Sequence, residues 1–326
     1  MFYNKVVFIL LLVSWLCSTG NSVVLTPKRP IQSHITGGYK KSLTKNDASK
    51  LDCSEFSSDY DVLQQFPFPI LVNPIQELYN QSTATMDEND VSVKKIYFYA
   101  EEVVPSSVFC LSKLQTLDIR MTPFHNGIVP NNLANLKLLR HLWIYDTSIL
   151  KISEQLGTLN NLVMIVLSNC SLTHLPNLSK LQQLTILDIP ENRLSEVDGM
   201  PGVLMMDLRD NFFKEIPTTN KKERITYIIM GNNPLKSIES ITSYTNLEGL
   251  YLRNTTLKFI PPTIGKLKKL KYLELSDNQL SQFPKNILNL PHLETLDIKN
   301  NLLSSEEIQS IQKEFAISHP NAELIV

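Results

Sequence analysis

The sequence predicts an α/β repeat protein: a curved solenoid with a parallel β-sheet on its concave face and turns with short helical segments on its convex side. Two observations lead to this fold class. One apolar pattern returns every 19 to 25 residues over about two thirds of the chain. Each copy also contains a short stretch in which apolar and variable residues alternate, which is the period of a β-strand.

The repeat follows the template L-x-x-L-x-L-x-x-N-x-L. In the ninth copy, Leu270, Leu273 and Leu275 are predicted to point into the core, and Asn278 stands where a sharp turn needs hydrogen bonds. One copy buries too little apolar surface to offset the entropy of ordering it, so the stack of copies is the folding unit. Ten copies begin at residues 93, 114, 139, 162, 184, 203, 225, 247, 270 and 293.

The pattern resembles the leucine-rich-repeat family over residues 93–303. The connecting segment 260–267 (IPPTIGKL) is similar to the P-x-x-I-x-x-L class, whose repeats have about 23 residues. Thr and Cys, which are known substitutes in the family, replace the Asn in four copies. Glu101 stands at that position in the first copy, which departs furthest from the family pattern.

The N-terminus has the layout of a secretory signal peptide. Lys5 precedes an apolar run at residues 6–16, and small and polar residues follow as far as Gly20. We therefore expect cleavage near Gly20 and a secreted, extracellular protein; a lipid-modified Cys17 is the alternative. The apolar run is shorter than the roughly 20 residues of a membrane span, and the sequence predicts no transmembrane segment.

The predicted domains after the signal peptide at 1–20 are a flexible arm at 21–50, an N-terminal cap at 51–92, the repeats at 93–303 and a C-terminal cap at 304–326. The arm is polar and basic and lacks apolar periodicity. Ser304 followed three residues later by Glu307 is a capping-box pattern, which predicts that a helix starts there.

Cysteines and glycosylation sequons fit an exported chain. An oxidising compartment favours pairing, so Cys53 in the cap is predicted to form a disulfide with Cys110, which precedes the second copy. Cys170 is predicted to be a small buried core residue. Three unpaired thiols are the alternative. N-glycosylation is predicted at the N-x-[ST] sequons of Asn80, Asn169, Asn177 and Asn254.

Composition and motifs exclude several classes of function. Lys and Arg number 31 against 32 Asp and Glu, a balance that argues against a nucleic-acid partner. The sequence shows no phosphate-binding loop, no zinc spacing among its six histidines and no nucleophile motif, so we expect no catalytic residues, metal or cofactor. Asp188 and Asp207 lie on predicted neighbouring strands, and a turnover dependent on them would favour an enzyme instead.

The outward-facing strand residues predict where a partner binds. Aromatic and Arg side chains are enriched at binding hot spots, although ordinary β-propensity is the competing explanation. We therefore expect an extracellular protein-binding module whose partner the sequence does not identify. An intracellular leucine-rich-repeat signalling scaffold or regulator is the alternative if the N-terminus is not a signal. The predicted ligand-binding residues are Tyr97, Tyr99, His141, Trp143, Tyr145, Arg209, Tyr227, Tyr251 and Arg253.

Overall fold

The computed structural model describes residues 33–35, 51–74 and 80–326, all of which belong to one compact unit. The predicted signal peptide at 1–20, with Cys17, lies outside the described residues. The same holds for the predicted arm at 21–50 apart from residues 33–35.

Fourteen of the described strands form one sheet, and the ten repeat strands within it run parallel. Equivalent repeat positions pair across the sheet: Leu117 lies opposite Leu142, which lies opposite Ile165. The first strands of this sheet are β1 (Ser33–Ile35), β2 (Ile70–Val72), β3 (Thr83–Met86), β4 (Val93–Tyr99) and β5 (Thr116–Arg120). A separate two-stranded sheet pairs β6 (Ile128–Val129) with β8 (Lys151–Ile152). The main sheet continues through β7 (His141–Tyr145), β9 (Met164–Ser168), β10 (Ile186–Asp188), β11 (Met205–Asp207), β12 (Tyr227–Ile229), β13 (Gly249–Tyr251), β14 (Tyr272–Glu274), β15 (Thr295–Asp297) and β16 (Glu323–Ile325).

Alternation within each strand separates the core from the sheet surface. In β5, Leu117 and Ile119 are buried, whereas Thr116 and Arg120 on the other face are partly exposed. Because the strands pair in register, the inward residues of all copies merge into one continuous apolar core. The repeat strands β4, β5, β7 and β9–β15 therefore present their variable residues together on the opposite face.

The ladder asparagines hold the turns that follow the strands. Asn192 Nδ2 donates to the carbonyl oxygens of Leu167 at 2.7 Å and Pro190 at 2.9 Å. Its Oδ1 accepts hydrogen bonds from the backbone N–H groups of Cys170 at 3.1 Å and Leu172 at 3.0 Å. One buried amide thus connects its own turn to the turn of the preceding copy, in the role that the sequence predicts for this position.

The residue before each ladder position has a left-handed backbone in all ten copies. Its φ lies near +50°, as in Asp146 (51°) and Asn300 (55°), and even Ala100 (51°) and Met121 (49°) adopt it. Several of these side chains form a second, exposed ladder, in which Asn232 Nδ2 donates to Asp210 Oδ1 at 2.7 Å. This outer ladder was not predicted from the sequence.

In most coils, short 3₁₀ turns occupy the side opposite the sheet. The P-x-x-I-x-x-L segment forms the turn Pro262–Lys266, with Ile264 pointing into the core. Because short turns rather than long helices connect the strands, a connection can gain or lose about two residues. This explains the variable repeat length. The others are Cys53–Glu55, Ser106–Cys110, His125–Gly127, Asn131–Asn135, Glu154–Thr158, Lys222–Arg224, Glu239–Ser243 and Lys285–Asn289.

The N-terminal end of the core is covered by a short helix and aromatic side chains. Helix α1 (Asp59–Gln64) begins at a capping box formed by Ser58 and Asp61. Phe66 packs edge-on against Phe98 of β4, with ring centroids 5.5 Å apart. A disulfide between Cys53 and Cys110 joins this segment to the turn before β5, across 57 residues of sequence.

The C-terminal end is covered by helix α2 (Ser305–Ser318), which buries Ile311 and Phe315. Ser304 Oγ accepts a hydrogen bond from Glu307 N at 3.1 Å, as the capping-box pattern predicts. The other half of the box is different: Glu307 Oε1 accepts from Phe283 N at 2.7 Å. The Glu307 carboxylate therefore connects the cap to the last repeats, and β16 then adds to the sheet beside β15.

Candidate functional site: the sheet face

The candidate site is the sheet face, by which we mean the outward side chains of β4, β5, β7 and β9–β15. Each strand and the two residues after it contribute up to three side chains, and the in-register pairing aligns them in three columns across the sheet. Neighbouring strands lie about 4.8 Å apart, so side chains of adjacent copies touch one another.

Five aromatic side chains gather on β4 and β7 and form what we call the aromatic cluster. The rings of Tyr97 and Tyr99 have centroids 6.2 Å apart, and those of His141 and Trp143 lie 5.7 Å apart. Four of the five are partly exposed, while Tyr97 is buried. The cluster consists of Tyr97, Tyr99, His141, Trp143 and Tyr145.

Arg120 on β5 connects the two halves of the aromatic cluster. Its guanidinium lies 4.6 Å from the ring centroid of Tyr145 and 5.5 Å from that of Tyr97. Arg120 Nε lies 3.2 Å from Asp118 Oδ1, and this ion pair fixes the guanidinium between the rings. The predicted ligand-binding residues include neither Arg120 nor Asp118, although the strand spacing places both between the aromatic residues of β4 and β7.

His141 and Trp143 present polar groups to the face. Burial, with Arg140 and Lys95 nearby, lowers the pKa of His141, so its imidazole is neutral at pH 7. Its Nδ1 lies 3.1 Å from Thr116 Oγ1. The indole Nε1–H of Trp143 is buried and has no hydrogen-bond partner among the described residues, which is a costly state for a donor.

The middle of the face carries an acidic pair. Asp188 and Asp207 pair in register on β10 and β11. Arg209 Nη2 lies 2.9 Å from Asp207 Oδ2 in an ion pair. Burial raises the pKa of Asp188 to about 6. Burial, and then the charge of Asp188, raise the pKa of Asp207 to about 8.

A second group of tyrosines lies on β12 to β14. A Cβ atom on Gly249 would lie 2.5 Å from Tyr227 Cδ1 and 2.9 Å from Tyr251 Cε2, so both rings pack over this glycine. Tyr272 OH donates to Glu294 Oε2 at 2.8 Å. The structure therefore brings the predicted Tyr227 and Tyr251 together around Gly249, and Tyr251 is buried there.

Arg209 and Arg253, the two predicted arginines, lie on different parts of the face. Arg209 belongs to the acidic pair, whereas Arg253 Nε donates to Asp277 Oδ2 at 2.7 Å at an exposed position of the outer ladder. The predicted ligand-binding residues thus form two aromatic groups separated by the acidic pair.

All four sequon asparagines are exposed: Asn80, Asn169, Asn177 and Asn254. Asn169 and Asn254 belong to the outer ladder, where each Nδ2 donates at 2.8 Å, to Asp146 and Asn232 respectively. Asn177 instead closes a local turn by accepting a hydrogen bond from Ser179 N at 3.0 Å.

Cys170 is buried, and burial raises the pKa of its thiol to about 12. It therefore stays protonated and inert, as expected for a core position. In the described part of the chain, no three His, Cys, Asp or Glu side chains converge to hold a metal ion. Over the same residues, none of the helices has the length and apolar character to cross a membrane.

Comparison with known proteins identifies the repeat. The family model described as "Leucine rich repeat" matches residues 245–303. Protein flightless-1 homolog of Caenorhabditis elegans is 25% identical over 209 residues, which cover 53% of this chain and 17% of the relative. Volume-regulated anion channel subunit LRRC8A of Homo sapiens is 24% identical over 276 residues, 78% of this chain and 32% of the relative. The chain thus spans about a third or less of these relatives.

A solved structure shows the same fold. It is a chain of the octameric complex of Latrophilin 3, Unc5D and FLRT2 (LRR), with 20% sequence identity and a TM-score of 0.54. The match covers 68% of this chain and 79% of the other.

Proposed function

The chain belongs to the leucine-rich-repeat family, and from this membership we propose that it is an extracellular module that binds a partner protein through the sheet face. Repeats of this kind generally serve as binding scaffolds. The observation that carries the proposal is the aromatic cluster: Arg120, paired with Asp118, holds Tyr97 and Tyr145 in place. Prearranged aromatic side chains lose little entropy on binding, which favours them as anchors.

The extracellular part of the proposal is supported by three features of the chain. The N-terminal 20 residues have the composition of a signal peptide, and the Cys53–Cys110 disulfide is of a kind that oxidising compartments favour. The four sequon asparagines are exposed, so a glycan can be attached without opening the core.

Export is tested by intact mass after expression of the full chain in a eukaryotic host, with and without glycosidase and reductant. The expected product is a secreted chain that starts near Asn21, carries glycans and gains two hydrogens on reduction. A chain retained in the cell with Met1 and free thiols would favour the intracellular scaffold.

Recognition is tested by screening the secreted chain against purified ectodomains and then comparing two double variants. Trp143→Ala with Tyr145→Ala removes two anchors of the aromatic cluster, and we expect at least a hundredfold weaker binding. Thr263→Ala with Lys266→Ala changes two exposed residues on the opposite side and should leave affinity within threefold. Equal affinity of the first variant and the unmodified chain would reject the sheet face as the binding site.

A further inference from the structure

The acidic pair on the sheet face has hydrogen-bonding capacity that the described structure leaves unused. Asp188 and Asp207 face one another on adjacent strands; among the described residues, Asp188 Oδ1 is buried without a hydrogen-bond partner, and Asp207 Oδ2 has only the Arg209 ion pair at 2.9 Å. Asp207 has no exposed surface at all. Buried carboxylate oxygens without a donor are costly, so such atoms indicate an absent partner group.

Among the described residues, the charge around the pair is out of balance by one unit when both carboxylates are ionised. Two ionised carboxylates face one guanidinium, that of Arg209, and the further charged group near Asp207 is another acid, Asp210. From β7, Tyr145 contributes only a neutral phenol, because burial, with Asp118 and Asp188 nearby, keeps its pKa raised. Within this part of the chain, one proton or one further cation is therefore needed to neutralise the pair.

Apolar side chains also surround the pair. Five of the outward side chains on β9 to β12 are apolar and less than a tenth exposed, so a ligand would reach the carboxylates beside apolar groups. Lysine and arginine side chains suit such surroundings, because each carries a cationic group at the end of an apolar alkyl stem. These neighbours are Met164, Val166, Ile186, Met205 and Ile229.

A further buried polar group lies two strands away in the same column. Trp143 Nε1 is a buried donor to which no described residue offers an acceptor, and only Val166 stands between Trp143 and Asp188 in the register. Two strand spacings are about 10 Å, which roughly three residues of an extended peptide span. A peptide segment with a carbonyl group over Trp143 and a basic side chain over the acidic pair would supply a partner to the Trp143 donor and to the carboxylates.

We propose that Asp188 and Asp207 form the subsite for one lysine or arginine side chain of the partner protein, with Trp143 Nε1 donating to a nearby carbonyl of the same segment. The inference rests on the proposed recognition through the sheet face and specifies the partner's chemistry. A calcium ion fits less well, because it takes six to eight oxygen ligands and the Arg209 guanidinium lies beside the pair.

The test uses two small probes that differ only in charge, N-acetylarginine methylamide and its citrulline counterpart, at constant ionic strength. Trp143 reports binding by its fluorescence, because Trp15→Phe in the full chain leaves it as the only tryptophan. Asp188→Asn neutralises the subsite, and Asp198→Asn is the matched control at an exposed aspartate.

We expect saturable binding of the arginine probe, at least tenfold weaker binding of the citrulline probe, and at least tenfold weaker binding of the arginine probe to Asp188→Asn. Asp198→Asn should stay within twofold. Because the cation competes with the proton that neutralises the pair, affinity for the arginine probe should rise between pH 6 and pH 8. Equal binding of the two probes, no binding of either, or a calcium response in place of the arginine response would overturn the subsite.

Two further measurements separate this inference from its premise. Carbon-13 NMR of the unmodified chain should show that the arginine probe lowers the apparent pKa values of the pair, which avoids any folding defect of the variant. If a protein partner needs Trp143 and Tyr145 but tolerates Asp188→Asn, the subsite is wrong and sheet-face recognition stands. If the partner tolerates all three substitutions, recognition through this face is wrong as well.

Discussion

Asn278 shows how much of the fold depends on one buried side chain. Its Nδ2 donates to the carbonyl oxygens of Leu252 at 2.7 Å and Leu275 at 3.0 Å. Its Oδ1 accepts hydrogen bonds from the N–H groups of Thr255 and Leu257, each at 3.0 Å. No backbone partner can replace these bonds, because the turn directs the groups inward.

Asn278→Ala should lower the free energy of unfolding by about 3 kcal/mol, since at least two buried groups lose their partners. Asn160→Ala, at an exposed turn, should change it by less than about 0.5 kcal/mol. Urea unfolding followed by circular dichroism measures both. Similar losses in the two variants would contradict the role of the ladder.

Asp207→Asn should stabilise the protein at alkaline pH. Folding raises the pKa of Asp207 from 3.8 to about 8, mainly by burial. The contribution of this carboxyl to the free energy of unfolding is therefore complete below pH 4 and is lost as pH rises through 8. The variant should exceed the unmodified chain by at least about 1 kcal/mol at pH 9 and by much less at pH 5. Unfolding at the two pH values is the measurement, and a difference independent of pH would show that Asp207 is ionised throughout.

Sequence spacing predicts the ladder residues because their role depends on position alone. Sequence spacing does not predict the role of Arg120, because that role depends on three strands together. Tyr97 and Tyr145 lie on either side of Arg120, and Asp118 fixes it. The left-handed turn was missed for another reason. Met121 adopts it, although nothing in a methionine side chain favours a positive φ.

At the scale of elements, the two ends of the repeat array are attached in different ways. The N-terminal segment is held by the Cys53–Cys110 disulfide and the C-terminal one by the buried side chains of α2. Each prevents an apolar end of the solenoid from meeting water.

Cys53→Ser with Cys110→Ser should destabilise the N-terminal segment by up to about 4 kcal/mol, the loop entropy for a closed loop of this length. Hydrogen exchange of α1 and β2 should increase, while β13 to β15 stay protected. Reductant should reproduce the effect in the unmodified chain and change nothing in the double variant. If reductant also destabilised the double variant, its effect on the unmodified chain would not be due to the Cys53–Cys110 disulfide.

Phe315→Ala should cost about 3 kcal/mol and unfold α2, because the ring is almost fully buried between the helix and the last repeats. Ile317→Ala is the control on the same helix, since Ile317 is 75% exposed. Thermal unfolding compares the two. Equal effects would mean that α2 does not cover the core.

The elements themselves were largely predictable. Ten strands fall at the ten predicted copies, since the L-x-L alternation specifies both strand and face. The partner of Glu307 was not predictable, because the capping-box pattern directs its carboxylate to the helix start whereas Phe283 N, 24 residues away, offers it a hydrogen bond.

At the scale of the whole molecule, in-register stacking converts a one-dimensional repeat into a two-dimensional surface. Residues about 23 positions apart become neighbours, which is how Asp188 meets Asp207 and Tyr227 meets Tyr251. The sequence predicts which residues face outward. It does not predict which of them are buried by their neighbours, because burial depends on side-chain size across several strands at once.

The most direct test of sheet-face recognition is site-specific photo-crosslinking on the chain secreted by living cells. A photoreactive phenylalanine replaces Ser168, beside Tyr145 on the face, in one sample and Lys266 on the opposite side in another. We predict a discrete adduct with one extracellular protein from position 168 and none from position 266. An adduct from position 266 alone would contradict recognition through the sheet face.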